Sequence, residues 1–147
     1  MEKTNKDKIM PFVVNEHLAE RAGRHFDLRI QYPYRPQLAS WAVPKAFIPS
    51  KPKERVLALR TNDHSRLWLY FKGTIEAGYG KGEVKIYAKG HLIIHEWSET
   101  KILFTVKDST AKEFKGSYSL FKFQAPGFKS KQGTWNLMKL SLDREGY

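Results

Sequence analysis

The chain has 147 residues, 41% hydrophobic and 14% aromatic, a balance that suits one globular domain with a core of useful size and excludes a disordered chain. It holds no cysteine, which rules out a disulfide framework, thiolate zinc sites and cysteine nucleophiles and fits a reducing cytoplasm. The formal net charge of +11 calls for a polyanionic partner, nucleic acid first, and no apolar run reaches the length of a membrane span.

Residues 1–10 read as a mixed-charge, flexible lead-in without the pattern of a signal peptide, and 11–147 as a single domain. Pro11-Phe12-Val13-Val14 opens the first strand. Glu16 to Arg24 reads either as about two helical turns ended by Gly23 or as an irregular loop. From Phe26 the apolar residues alternate strictly, with Phe26, Leu28, Ile30 and Tyr32 on one side, which is the period of a half-buried strand. Pro33 and Pro36 mark a turn before the strand Leu38–Val43, and Pro49 and Pro52 punctuate a loop leading into Arg55–Thr61. Asn62-Asp63-His64-Ser65 is a turn cluster by composition, and Leu67–Phe71 reads as a resumed strand. Further strands are expected at Glu83–Tyr87, His91–Trp97, Ile102–Val106, Ser117–Phe123 and Trp135–Leu142. Roughly eight or nine short strands with turn residues between them, and no stretch fit for a substantial helix, predict an all-β antiparallel barrel or sandwich.

The face of the central strand opposite its apolar side carries His25, Asp27, Arg29 and Gln31. An imidazole and a carboxylate two residues apart on a strand project the same way, about 6–7 Å apart at the backbone, so their tips can converge on one divalent cation. His17, upstream across a turn containing Gly23, can fold back as a third ligand, and two imidazoles with a carboxylate suit Mn, Fe or Zn. Arg29 stands where an anion on that cation would be gripped. The bland alternative is a solvated strand face with an incidental histidine. His64, at a strand end, and the cations Lys45, Arg55 and Arg60 are the residues nearest in sequence that suit a phosphoryl group. Eight lysines and no arginine between Lys101 and Lys139, against Asp108 and Glu113 only, add a basic surface. Gly78-Tyr79-Gly80-Lys81-Gly82 lacks the Gly-Lys-Ser/Thr ending of a phosphate loop and reads as a tight connection between strands. His91 and His95 flank an aliphatic run and read as structural or exposed.

Phe12-Val13-Val14-x-Glu16-His17, Gly23-Arg24-His25-Phe26-Asp27-Leu28-Arg29 and Ser40-Trp41-Ala42-Val43-Pro44-Lys45 together resemble the 3′-phosphoesterase domain of DNA ligase D. Arg60-Thr61-Asn62-Asp63-His64, Gly78-Tyr79-Gly80-x-Gly82, Lys115-Gly116-Ser117-Tyr118-x-Leu120 and Trp135-Asn136-Leu137-Met138-Lys139 extend the likeness, in order, from Pro11 to Leu140. The resemblance implies a small β-barrel of about eight strands with short helical turns. It implies Mn²⁺-dependent repair of DNA 3′ ends, primer–template or duplex, by a stand-alone domain. Such enzymes remove a 3′-phosphate, and some trim a terminal 3′ ribonucleotide, leaving a hydroxyl for a separate ligase or polymerase. It places the metal on His17, His25 and Asp27, with Co²⁺, Cd²⁺ or Zn²⁺ as other occupants, and substrate phosphate on Arg29, Lys45 and His64 with Arg55 or Arg60.

Three departures stand out. His17 and His25 are eight residues apart where the commoner family spacing is six, so the turn between them is two residues longer. Trp68 replaces a family tyrosine, which leaves the hydroxyl role to Tyr70 or Tyr79. The N-terminal segment linked with ribonucleotide trimming is not recognisable in residues 1–10, which favours phosphate removal over trimming. The rival readings are a non-catalytic DNA-end-binding module that recruits a ligase or polymerase, and an RNA-directed phosphatase using the same residues.

Overall fold

Alternating apolar side chains set the architecture, because a strand with one oily edge per two residues must lay that edge against others like it. The computed structural model describes residues 7–124 and 133–141. Nine strands fall within them: β1 (Lys8–Ala19), β2 (Gly23–Gln31), β3 (Gln37–Val43), β4 (Arg55–Ser65), β5 (Gly73–Ile75), β6 (Gly82–Trp97), β7 (Lys101–Ser109), β8 (Ser117–Phe123) and β9 (Thr134–Ser141). Every pairing is antiparallel, in the order β1-β2-β3-β4-β9-β8-β7-β6. A β1–β6 ladder joins the two ends, so eight strands close a barrel and β5 is a short extra strand on β6. Closure leaves the eight ring strands without a long open edge.

The interior is filled by the inward residues of every ring strand, including Phe12, Val14, Leu28, Ile30, Trp41, Phe104, Tyr118 and Leu137. Burying each such side chain is worth about 1.5–3 kcal/mol. Trp41 meets Trp135 edge-on at 5.5 Å, and Phe104 stacks on Tyr118 at 5.5 Å. A second, smaller cluster lies on the outside of the barrel, where Val13, Leu38 and Leu69 pack with Trp68 and Ile86. The expected barrel and strand alternation are therefore present, and two faces of one sheet are buried where β1, β2 and β3 run side by side.

Several boundaries differ from expectation. β1 begins at Lys8, inside the expected lead-in, because Lys8 to Met10 already pair with Ile94 to Leu92. Glu16 to Arg24 is neither helix nor irregular loop. The strand runs on to Ala19, turns over residues 20–22, and returns at Gly23 with φ +78°, so that His17 faces His25 directly across the hairpin. Asn62 to Ser65 is strand, since β3 pairs with it through Leu38–His64 and Gln37–Ser65. Leu67 to Phe71 is not strand. Ser65 Oγ accepts the Leu67 amide and starts a 3₁₀ turn over Arg66–Leu69, which carries Leu69 down onto Val13 and Leu38. The two strands expected at Glu83–Tyr87 and His91–Trp97 are one strand of 16 residues. Leu142, the last residue of the final expected strand, lies outside the described residues, as do residues 1–6.

Candidate metal and phosphate site

The outward residues of β1 and β2 that meet near the hairpin end are Asn15, His17, His25, Asp27 and Arg29. Register explains the grouping: His17 pairs with His25, Asn15 with Asp27, and alternation turns all of them to the same side. This patch is polar yet sealed. Asn15, His17, Asp27 and Arg29 are all buried, under a cover that includes the 3₁₀ turn and the residue 76–81 connection.

One nitrogen of each imidazole and a carboxylate oxygen of Asp27 lie within 4.8 Å of one another. His17 Nδ1 is 3.5 Å and His25 Nε2 is 3.3 Å from the same oxygen, Asp27 Oδ2. The remaining nitrogen of each ring is committed to a backbone carbonyl. His17 Nε2 donates to Gly80 O at 2.7 Å, and His25 Nδ1 donates to Gly23 O at 3.3 Å. That fixes both ring orientations and turns the other nitrogen of each ring towards the carboxylate, the arrangement that orients histidines on a metal. The three groups fit a divalent cation on these grounds, since the donors converge, their rings are held from behind, and two neutral nitrogens with one oxygen suit Mn, Co, Zn or Cd alike.

Charge on Asp27 is secured by its neighbours. Burial alone would raise its carboxyl, but hydrogen bonds with His17 and His25 and the charge of Arg29 outweigh that and hold it well below the usual carboxylate range. The same carboxylate raises His25 by hydrogen bonding, against the opposing pull of burial. A proton carried by His25 is what a cation would displace.

Arg29 extends the site along β2. Its Nη1 donates to Asn15 Oδ1, its Nη2 is 3.8 Å from Asp27 Oδ2, and its guanidinium lies 4.6 Å over the Trp68 ring. Among the described residues its Nε is buried without a hydrogen-bond partner, as is the hydroxyl of Ser40, the residue paired with Arg29 on β3. A buried N–H left unmade costs about 1–3 kcal/mol, so a further acceptor at Arg29 Nε would recover that energy. The Trp68 ring also meets His64 edge-on at 5.3 Å, bracketing Arg29 and His64 together. His64 Nδ1 donates to Asn62 O at 2.8 Å, which leaves Nε2 for another partner. Burial and then the Arg29 charge push His64 below its ordinary value.

A buried carboxylate between two oriented imidazoles, next to a guanidinium with a spare donor, is a place for a cation and an oxyanion together. Residues 15–139 match the family described as the DNA ligase D 3′-phosphoesterase domain. The chain belongs to that family. The multifunctional non-homologous end joining protein LigD of Mycolicibacterium smegmatis is 41% identical over 87 residues, 58% of this chain and 10% of that protein. LigD of Mycobacterium bovis, and the multifunctional non-homologous end joining DNA repair protein LigD of Mycobacterium tuberculosis H37Rv, are each 40% identical over 80 residues, 54% of this chain and 10% of those proteins. The match thus spans about a tenth of these relatives' length.

Within this phosphoesterase barrel the remaining expected residues divide. His64 joins the site because β4 carries an extra residue between Thr61 and His64 opposite β3, so residues three apart face the same way. Arg60 does not join it. It pairs with Trp41 and lies on the inward side, where its Nη2 donates to Tyr32 OH at 2.7 Å, its Nη1 is 3.4 Å from Asp63 Oδ1, and its charge sits 4.8 Å over the Trp41 ring. Arg55 begins β4 opposite Met138 and is exposed, and Lys45 is exposed in the turn after β3. Neither touches the His17–His25–Asp27 group. Sequence reasoning missed Asn15 and the Gly80 carbonyl. Asn15 was findable, as a polar residue in phase with His17; Gly80 was not, because its partner is 63 residues away.

Proposed function

We propose that this chain is a Mn²⁺-dependent DNA 3′-end-healing phosphoesterase that removes a 3′-phosphate and leaves a 3′-hydroxyl for a ligase or polymerase. The observation that carries the reading is the convergence of His17, His25 and Asp27 within 4.8 Å beside the unpartnered Nε of Arg29. Family membership and the net charge of +11 support a DNA end as the substrate.

A divalent cation bound by the trio supplies Lewis-acid polarisation of a phosphate oxygen. The chain's own groups do the rest. Arg29 Nε donates to a second phosphate oxygen and offsets charge that a loose phosphoryl-transfer transition state spreads over the equatorial oxygens. Asn15 and Trp68 fix the guanidinium, so little is lost in orienting it. His64 Nε2 faces the same phosphate. In the free protein its lowered pKa keeps it neutral at neutral pH, and the negative charge of a bound phosphate opposes that shift. When water attacks phosphorus and the bond to the 3′ oxygen breaks, protonated His64 gives that oxygen its proton as general acid. Lys45 and Arg55, free at the surface near the hairpin and on β4, meet phosphates further along the strand.

The test is phosphate release from a primer–template with a 3′-phosphate, with and without Mn²⁺, by wild type and His17→Ala. Metal-dependent release that the variant loses is the expected result. No release by folded wild type with any of Mn²⁺, Co²⁺, Cd²⁺ or Zn²⁺, together with metal-independent binding of the same DNA, overturns the enzyme and leaves an end-binding module. A terminal ribonucleotide on the same primer measures trimming in parallel.

A further inference from the structure

We propose that Tyr79 is a stacking platform for the base of the 3′-terminal nucleotide whose phosphate is gripped by Arg29, an inference that rests on the function proposed above. It starts from the glycine-rich run Gly78–Gly82, of which Gly82 belongs to the β1–β6 seam and Gly78 to Gly80 precede it in the connection. This run is held at three points. Gly80 O accepts from His17 Nε2 at 2.7 Å, Lys81 N donates to Gly78 O at 3.2 Å, and Glu20 N donates to Lys81 O at 2.8 Å. Gly80 lies flat on the imidazole, and a Cβ there would stand 3.3 Å from His17 Cε1, tighter than ordinary contact. Gly78, at φ +92°, makes the bend that leads in. The backbone on both sides of Tyr79 is therefore fixed against a candidate metal ligand.

Tyr79 itself is 69% exposed and has no hydrogen bond or ring contact among the described residues. Exposed aromatics are common and need no account when they stand alone. Tyr70, the other exposed tyrosine near the site, is already occupied by Lys89 Nζ, 4.7 Å over its ring. Tyr79 is one Cα step, about 3.8 Å, from the residue that bonds His17, and its ring is free.

The layout of strands gives a direction to the substrate. Across the outer face the order is β6, β1, β2, β3, β4, so Arg29 and His64 lie on one side of His17, while the Gly80 that follows Tyr79 bonds His17 and leads into β6 on the other. On that second side Val84 pairs with His17 and Ile86 with Asn15, and an open groove of ≈ 470 Å³ runs between Lys72, Gly73, Glu83, Val84, Lys85 and Ile86. A phosphate held by Arg29 leaves its sugar and base to fall towards Tyr79 and this groove, where Lys72 and Lys85 suit the next phosphate against the single opposing charge of Glu83. Stacking on one aromatic ring tolerates any base, so the subsite selects a terminal nucleotide with an unstacked base rather than a sequence.

The experiment compares two 3′-phosphorylated oligonucleotides that differ only in the terminal unit, one bearing adenine and one abasic, by fluorescence anisotropy without added metal. Tyr79→Ala is expected to bind the adenine oligonucleotide about tenfold more weakly than wild type, with Tyr79→Trp within about twofold of it. The wild-type advantage disappears on the abasic end. Equal affinities on the adenine end, an equal loss on both ends, or no binding by wild type overturns the subsite. Phosphate release from the same oligonucleotides with Mn²⁺ is read separately. Its absence beside a base-dependent Tyr79 effect overturns the catalytic reading and leaves the subsite standing.

Discussion

Arg29 and Arg60 sit on opposite faces of the same three strands, and their surroundings differ in one respect that matters. Arg60 is saturated. Tyr32 OH, Asp63, the Ser40 and Thr61 carbonyls and the Trp41 ring take up its donors and its charge, and Arg35 adds a second cation on Asp63 at 2.9 Å. Arg29 is more deeply buried, shares its carboxylate with two imidazoles, and keeps one donor unmade. Burial of a cation costs several kcal/mol unless neighbours compensate it. The charge of Arg60 is taken up by partners within the protein, whereas the proposed function gives the spare donor of Arg29 to a phosphate.

The largest way to break the contrast is to remove the carboxylate that serves the binding side. Asp27→Ala should lower metal-dependent phosphate release by more than about a hundredfold and abolish metal binding followed by calorimetry, with the circular dichroism spectrum kept. Arg29→Gln should cost about a hundredfold in kcat/KM, since a charge-stabilising donor is lost while the trio remains; a drop confined to stability would make Arg29 the twin of Arg60. Arg60→Met should do the reverse, lowering unfolding free energy by about 2 kcal/mol in urea while turnover per folded molecule stays within about twofold. The smallest effect concerns His64. Its folded-state pKa is lowered from 6.5, so between the folded value and 6.5 the unfolded chain binds the proton more readily. The stability it contributes is complete above that range and is lost as pH falls through the folded value. Metal-free wild type should therefore lose slightly more stability than His64→Gln between about pH 7 and 5, read as shifts in urea midpoint.

Much of this was legible in the chain. Strict alternation from Phe26 gave the strand, its inward face and the polar group His25, Asp27 and Arg29 together. The longer spacing from His17 to His25 still leaves the two residues facing each other, for a geometric reason. Two extra residues in an antiparallel hairpin add one rung and keep the facing pair on the same side. What was not legible depended on contacts distant in sequence. Asn62 to Ser65 has turn composition, but Asp63 is wanted inside by Tyr32 and Arg35 while His64 is wanted outside, and only an extra residue in the strand satisfies both. Leu67–Phe71 has strand composition, but Leu69 finds a better apolar contact under a 3₁₀ turn. The choice between Arg55 and Arg60 could not be made from spacing, since the face of each depends on that same irregularity.

The β1–β6 seam has a kinetic consequence. β1 can zip to β2 at once through a local hairpin, but its second edge, and the carbonyl that orients His17, come from a stretch 63 residues downstream. Non-local pairings of this kind set a slow pace, because loop-closure entropy must be met before the contact repays it. The hairpin therefore forms early with its histidines already opposed, while their orientation waits for the last rung of the ring. Acquisition of metal affinity during refolding would then lag behind strand formation and keep time with barrel closure.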